Sequence, residues 1–284
     1  MTVPFELGYV DAAGVNTRAL LAGSGEAVVC LHGISGHLEA YTRIVGSHSR
    51  HFELHAIDML GHGYSGKPRE PITPAMQAEH VIAYLDQRGI ERAHLVGISL
   101  GGLVSAWTAI THPDRVGRLT LIDPGGTNPD PVHASRIKNV RMEGVSNPDP
   151  EYTRKVLNTL IVDPANVTDE LVSVRYRIYH EPGFAENIHN LMVHVEDPQV
   201  RQEFFLTDEL LGKISAETLI VWSRKDPYQK LEHAQRVRAN VPQSRLVIFE
   251  DCGHWPPWER PDAFAEVNIP FLQSGLDAVS EGSV

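Results

Sequence analysis

The chain has 284 residues, 42% of them hydrophobic, and its 25 Lys and Arg against 36 Asp and Glu leave a formal net charge of −11. That is enough chain for one or two domains around a core that needs no staples, and two cysteines suit a reducing cytoplasm. The acidic balance argues against nucleic-acid partners, no apolar run approaches the ~20 residues of a membrane span, and no basic-then-apolar leader opens the sequence, so the expectation is a soluble cytoplasmic enzyme.

Taken in chain order, residues 5–10 and 17–22 read as a leading hairpin turned at Ala13-Gly14. Short apolar runs rich in Val, Ile and Leu follow at Ala27–Leu31, Glu53–Ile57, 94–96, 119–122, 218–222 and 245–249. Runs that are apolar throughout suit strands covered on both faces, as in a parallel sheet. Between the second and third of these runs, Thr73 is placed as an N-cap with Pro74 at the first helical position. Ala78, Val81, Ile82 and Leu85 keep the i, i+3, i+4, i+7 spacing of one buried face, and Gly89 stops the helix. Strand and helix alternate on both sides of Ser99, which predicts an α/β fold with a mostly parallel sheet.

The alternation breaks over residues 131–211. Pro148, Pro150, Pro164, Pro182 and Pro198 punctuate this stretch, no buried strand is evident, and helices are expected near 151–160 and Asp169–Tyr179. It is read as a helical cap, leaving 1–130 and 212–284 as the core. The last dozen residues, 273–284, are small and polar and are expected to fray.

The sharpest local signal is Val96-Gly97-Ile98-Ser99-Leu100-Gly101-Gly102. A G-x-S-x-G between a strand and a helix lifts its serine on a strained turn, and small neighbours keep the backbone from colliding. A hydroxyl becomes a nucleophile only when a base takes its proton and an acid orients that base. Asp226 and His254 follow in the required order, each just past the end of an expected strand. Singly, Asp226 could be a helix cap and His254 one of 15 histidines; together they read as a catalytic triad with Ser99. Leu31-His32-Gly33-Ile34-Ser35-Gly36 supplies small residues beside the nucleophile. The backbone N–H groups of Ile34 and Leu100 are the candidate oxyanion donors, with His32 bracing the loop.

Other patterns are weaker. Gly61-His62-Gly63-Tyr64-Ser65-Gly66-Lys67 imitates a phosphate loop, but Pro68 stands where Ser or Thr should hold Mg²⁺. His48, His51 and His55 lack metal-site spacing and are read as solvated surface, so no metal is expected. Cys30 reads as buried filler, whereas Cys252 borders the histidine loop and could be oxidised there.

Leu31-His32-Gly33, Asp58 to Ser65, Gly97 to Gly102, Arg224-Lys225-Asp226 and Gly253-His254 together resemble the α/β-hydrolase superfamily. The likeness covers almost the whole chain and implies an eight-stranded sheet with a helical cap between the sixth and seventh strands. Within it the chain looks most like the meta-cleavage product hydrolases, which split a C–C bond in 2-hydroxy-6-oxohexa-2,4-dienoates. Cys252-Gly253-His254-Trp255, followed by Trp258-Glu259, resembles their histidine loop, and Asp169 to Tyr176 resembles the cap segment bearing an arginine. By this resemblance Arg175 binds the anionic dienoate and Trp255 lines the pocket. Plainer alternatives are a solvated helix face beside Arg177 and ordinary core packing. The chain departs from many members at Ile34 to His37 and at Ile98, which stands where Asn is frequent.

The implied reaction needs no cofactor, and the resemblance favours a homo-oligomer. Met142, Tyr179 and Phe184 are the expected cap residues around the variable substituent. A carboxylesterase or lactonase with the same triad is the alternative enzyme, and a ligand receptor on the same scaffold is the alternative of another class. A nucleophilic-aspartate hydrolase is disfavoured by Ser99.

Overall fold

The structure, a computed structural model, describes residues 3–147 and 149–284. Met1, Thr2 and the punctuating Pro148 lie outside the described residues. The chain opens with β1 (Phe5–Ala12) and β2 (Val15–Ala22), antiparallel and paired residue for residue from Phe5↔Ala22 to Ala12↔Val15. Ala13 and Gly14 turn the hairpin with φ of 51° and 85°, the left-handed pair whose twist matches that of the strands.

The remaining strands are β3 (Ala27–Leu31), β4 (Glu53–Ile57), β5 (Ala93–Ile98), β6 (Val116–Ile122), β7 (Thr218–Ser223), β8 (Ser244–Phe249) and β9 (Gly282–Ser283). They form one sheet in the order β1-β2-β4-β3-β5-β6-β7-β8-β9, parallel except for the pairs made by β2. The apolar runs are continuous because both faces are covered. Val29 and Leu31 pack with Val81 and Leu85 of α2 (Pro74–Gln87) and Leu103 of α3 (Leu100–Thr111). Their neighbours Val28 and Cys30 point the other way, toward Ile44 of α1 (Thr42–His48) and Phe264 and Phe271 of a C-terminal helix. Thr73 does cap α2, its hydroxyl accepting from Met76 N at 3.3 Å, and Gly89 follows the helix with φ 67°.

Between β6 and β7 the described chain is entirely helix and loop. The helices are α4 (Pro131–Ser146), α5 (Pro150–Asn158), α6 (Asp169–Tyr179), α7 (Phe184–Glu196), α8 (Pro198–Glu203) and α9 (Asp208–Leu211). After β7 come α10 (Leu231–Asn240), α11 (Pro256–Glu259) and α12 (Pro261–Ser274). Backbone and side-chain bonds tie the inserted segment to loops at the C-terminal edge of the sheet. His254 N donates to Leu160 O at 2.7 Å, Ile72 N to Asn190 O at 2.9 Å, and Leu206 N to Gly126 O at 2.8 Å. Asn187 Nδ2 reaches Gly61 O at 2.6 Å.

Three expectations are corrected. The sheet has nine strands rather than eight. The C-terminal tail does not fray: α12 runs to Ser274, Val279 is buried, and β9 pairs with β8. Pairing of this kind uses only backbone groups, so Gly282-Ser283 carries no side-chain pattern announcing it. His48 and His55 are not solvated surface but fully buried, the first bonded to Asn268 Oδ1 at 3.0 Å and the second to the Tyr84 hydroxyl at 2.8 Å. No described helix is long and apolar enough to cross a membrane.

Candidate active site

Ser99 sits between β5 and α3 with φ 54° and ψ −116°, a conformation that costs a non-glycine residue of order 1–3 kcal/mol. The surroundings over-determine it. Its N–H donates to Ile122 O at 2.9 Å, and its carbonyl accepts from Gly125 N at 2.7 Å and Leu103 N at 3.0 Å. The flanking glycines answer to crowding: a Cβ at Gly97 would lie 2.2 Å from Gly101 O, and one at Gly101 would lie 2.0 Å from Leu31 O. Any larger residue at either position would push the elbow off the sheet.

Asp226 follows β7 and divides its two oxygens. Oδ1 accepts from Tyr228 N at 2.6 Å and Gln229 N at 3.0 Å in the loop before α10, so Asp226 is not the helix cap weighed above; Lys230 stands at that position. Oδ2 is hydrogen-bonded to His254 Nδ1. That bond leaves His254 Nε2 for the pocket that His254 and Ser99 both line. Glu259 holds the histidine loop in place. Its carboxylate accepts from Trp255 N at 3.1 Å, Gly253 N at 3.2 Å and, across in the inserted segment, Val162 N at 2.8 Å.

A third acid is present that sequence reading missed. Asp123 follows β6 with φ 41°, fully buried, accepting from Ser223 N at 2.9 Å and bonded to Ser223 Oγ at 2.6 Å. Burial, and then the charge of Asp226, push its carboxyl well above the ordinary range. One oxygen each of Asp123 and Asp226 and a ring nitrogen of His254 lie within 4.8 Å of one another, the grouping most able to hold a metal among the described residues. The direct Asp226–His254 bond commits two of these atoms to orienting the histidine ring.

Ile34 and Leu100 flank Ser99 at the same cavity wall. Leu100 opens α3, so its N–H has no acceptor within the helix. His32 braces the Ile34 loop: Nδ1 meets Gly33 O at 2.8 Å, and Nε2 accepts from Met59 N at 3.1 Å. Burial and the nearby His62 hold its imidazole far below the usual pKa, so it stays neutral.

Two chambers meet at Ser99 and Ile34. One is tight and carries the charged and polar side chains, walled by His254, Trp255, Arg175 and Arg141. Arg175, on α6, is 1% exposed, while Arg177 faces solvent. Its guanidinium lies 5.1 Å from the Trp255 ring and donates from Nη1 to the Tyr179 hydroxyl at 3.0 Å. Desolvation, partly offset by Tyr179, lowers its pKa. Trp255 therefore both packs and lines the chamber. Arg141, on α4 and 3% exposed, was not foreseen. A signal existed: Ala134, Arg141 and Val145 fall seven and four apart, which places Arg141 on the buried stripe of its helix.

The second chamber is larger, about 730 Å³, and mostly apolar, with Leu103, Ala134, Ile137, Phe204 and Phe205 in its walls. Met142, Tyr179 and Phe184 are not among its wall residues. Phe184 is instead buried against Tyr179, the rings stacked at 5.4 Å, and the Tyr179 hydroxyl faces Arg175 and, at 3.2 Å, Ser35. The phosphate-loop imitation is a tight turn folded onto Asp58, which accepts from Tyr64 N at 2.9 Å and Leu38 N at 2.7 Å. Lys67 there is occupied by Gly63 O at 2.9 Å and Ser65 O at 3.3 Å. Cys252 is buried with its thiol pKa pushed up, which argues against easy oxidation.

Known proteins resemble this chain over most of its length. The family model described as the alpha/beta hydrolase fold matches residues 26–261. A 2-hydroxy-6-oxo-6-phenylhexa-2,4-dienoate hydrolase of Burkholderia cepacia is 32% identical over 267 residues, covering 89% of this chain and 90% of the relative. A 2-hydroxy-6-oxononadienedioate/2-hydroxy-6-oxononatrienedioate hydrolase of Comamonas testosteroni is 31% identical over 262 residues, with 89% and 90% covered. Among solved structures, a meta-cleavage product hydrolase from Pseudomonas fluorescens superposes with a TM-score of 0.81 at 27% identity, covering 94% of this chain and 98% of that one.

Proposed function

The chain belongs to the α/β-hydrolase fold family, and we propose that it is a serine hydrolase cleaving the C–C bond of a 2-hydroxy-6-oxohexa-2,4-dienoate formed by aromatic ring fission. The observation that carries this reading is the position of Ser99, where a cationic chamber meets an apolar one. Such a substrate has the matching halves: an electron-accepting acid on one side of the scissile bond and an apolar acyl group on the other. The relatives' activities, named above, point the same way.

The steps assign each residue a role. His254 moves the proton of the C2 hydroxyl to C5, giving the 2,6-diketone. Ser99 Oγ then attacks C6 as His254 takes its proton, and the N–H groups of Ile34 and Leu100 hold the oxyanion. Asp226 fixes the His254 tautomer and stabilises the imidazolium. Collapse breaks C5–C6; its electron pair passes through the conjugated chain to the C2 oxygen, and His254 returns a proton. Water activated by His254 then releases the carboxylic acid from Ser99. Arg175 holds the carboxylate end beside Trp255. The steps draw on these side chains and water alone.

In this reading residues 131–211 act as a cap that closes the site over a core of 1–130 and 212–284. A cytoplasmic setting suits the two free buried thiols, Cys30 and Cys252. Assembly as a homo-oligomer completes the proposal, and light scattering on the purified chain tests it. The catalytic claim is tested by following the yellow colour of ring-fission products from catechol, a 3-alkylcatechol and 2,3-dihydroxybiphenyl. Bleaching of at least one is expected. Brisk hydrolysis of p-nitrophenyl acetate with no bleaching would instead make the protein an esterase, and slow or single turnover of every substrate would favour a receptor.

A further inference from the structure

We propose that Arg141 and Arg175 form a two-guanidinium clamp for a 2-oxygenated carboxylate, in which Arg175 grips the carboxylate and Arg141 reads the oxygen on C2. The proposal rests on the reading of Ser99 as the nucleophile of a dienoate hydrolase, and it assigns the C2 oxygen of that acid to a residue of its own, Arg141.

Charges and partners are out of balance in this chamber. Both guanidinium groups are buried, at 3% and 1% exposure, and both wall the chamber that contains Ser99 and His254. Among the described residues, Arg141 Nε and Nη1 and Arg175 Nε and Nη2 meet no hydrogen-bond partner. Buried cations are ordinarily paired, because desolvation is not otherwise recovered. Here two like charges share one small space, and Arg141 adds to the burial that lowers the Arg175 pKa. The acid that acts on Arg175, Glu39, is committed elsewhere, held by Arg18 at 2.6 Å and His37 at 2.9 Å. These unpartnered donors call for an anion.

The free atoms also specify the shape of that anion. Nε–H and Nη2–H of Arg175 run parallel along one side of the guanidinium, the fork that takes both oxygens of a carboxylate. Its third nitrogen, Nη1, is already spent on Tyr179. The free Nε and Nη1 of Arg141 do not form one such fork and are suited to single acceptors. An acid with a C2 oxygen supplies that additional acceptor, whereas a simple carboxylate does not. When the C–C bond breaks, the electron pair arrives on the C2 oxygen, so the ligand goes from one negative charge to two. Arg141 then meets its full charge only as the bond breaks, and its contribution belongs to kcat more than to KM.

The test uses the full chain with Arg141→Gln and Arg141→Lys. For the ring-fission product of 2,3-dihydroxybiphenyl, Arg141→Gln is expected to lower kcat about 100-fold with KM changed less than threefold. The ratio of dienoate to p-nitrophenyl acetate turnover should fall at least tenfold, with Arg141→Lys between wild type and Gln. Independently of turnover, calorimetry on the Ser99→Ala protein should show 2-oxopentanoate binding at least tenfold tighter than pentanoate, and Arg141→Gln should erase the difference. Removing an unpaired buried charge should also raise Tm in ligand-free buffer, whereas a structural arginine would lower it. If Arg141→Gln leaves both the rate ratio and the 2-oxo preference intact, the clamp is wrong. If wild type bleaches no dienoate yet prefers the 2-oxo acid in an Arg141-dependent way, the clamp stands and the hydrolase reading fails.

Discussion

The two chambers that meet at Ser99 are built on opposite principles. The apolar one is made of ordinary core-forming residues, such as Leu103, Ile137 and Phe204, that stop short of filling their space. The polar one holds two buried guanidinium groups that, among the described residues, have no carboxylate partner. The first costs little and discriminates by size; the second costs folding free energy and is useful only when an anion arrives. On the proposed reading the molecule spends its stability on holding the acid end and leaves the acyl end loosely specified.

The comparison can be broken at several points. Ser99→Ala removes the atom at which the chambers meet and should lower dienoate and ester turnover alike by about 10³-fold or more, measured by bleaching and nitrophenol release. Arg175→Gln should act on the polar side alone, costing about 2–4 kcal/mol, or ~30- to 1000-fold, in kcat/KM for the dienoate, with KM rising. The neutral ester should lose less than tenfold, and equal losses on both would remove the division of labour. Ala134→Leu narrows the apolar side and should shift preference from a phenyl-bearing to a methyl-bearing dienoate by about tenfold, read as a ratio of kcat/KM.

The smallest effect concerns the acid behind the triad. Because burial raises the Asp123 carboxyl above its unfolded value, its contribution to stability is full below the unfolded pKa and is lost as pH climbs toward the folded one. Asp123→Asn does not titrate, so its Tm should gain on wild type as pH rises from 4 to 8 and converge with it at pH 4. A constant gap across that range would mean that Asp123 is not held neutral by its site.

Legibility in the sequence follows the same division. The strands and α2 were readable because burial on two faces, helical spacing and the Thr73-Pro74 start act locally. Ser99, Asp226 and His254 stood out for a related reason: each sits at a strand end with its own short motif, and the structure brings Asp226 onto His254 and places His254 with Ser99 at one chamber. What escaped was set by tertiary placement. Arg141 and Asp123 carry no motif, and their importance comes from what surrounds them after folding. The edge strand at Gly282–Ser283 is made of backbone bonds, and the burial of His48 and His55 depends on partners, Asn268 and Tyr84, far away in the chain. A helical insertion was expected, with helices placed near 151–160 and at Asp169–Tyr179, but its inward faces were not: Met142 was favoured where its neighbour Arg141 reaches the site.

The most direct test of the account is product analysis of one reaction. Wild-type protein is mixed with the yellow ring-fission product of 2,3-dihydroxybiphenyl in ¹⁸O-labelled water, and both products are identified by mass spectrometry. C–C hydrolysis at Ser99 predicts equal amounts of 2-hydroxypenta-2,4-dienoate and benzoate, labelled oxygen in the benzoate, and neither product from Ser99→Ala. Unconsumed dienoate under conditions where the same protein hydrolyses p-nitrophenyl acetate would contradict it.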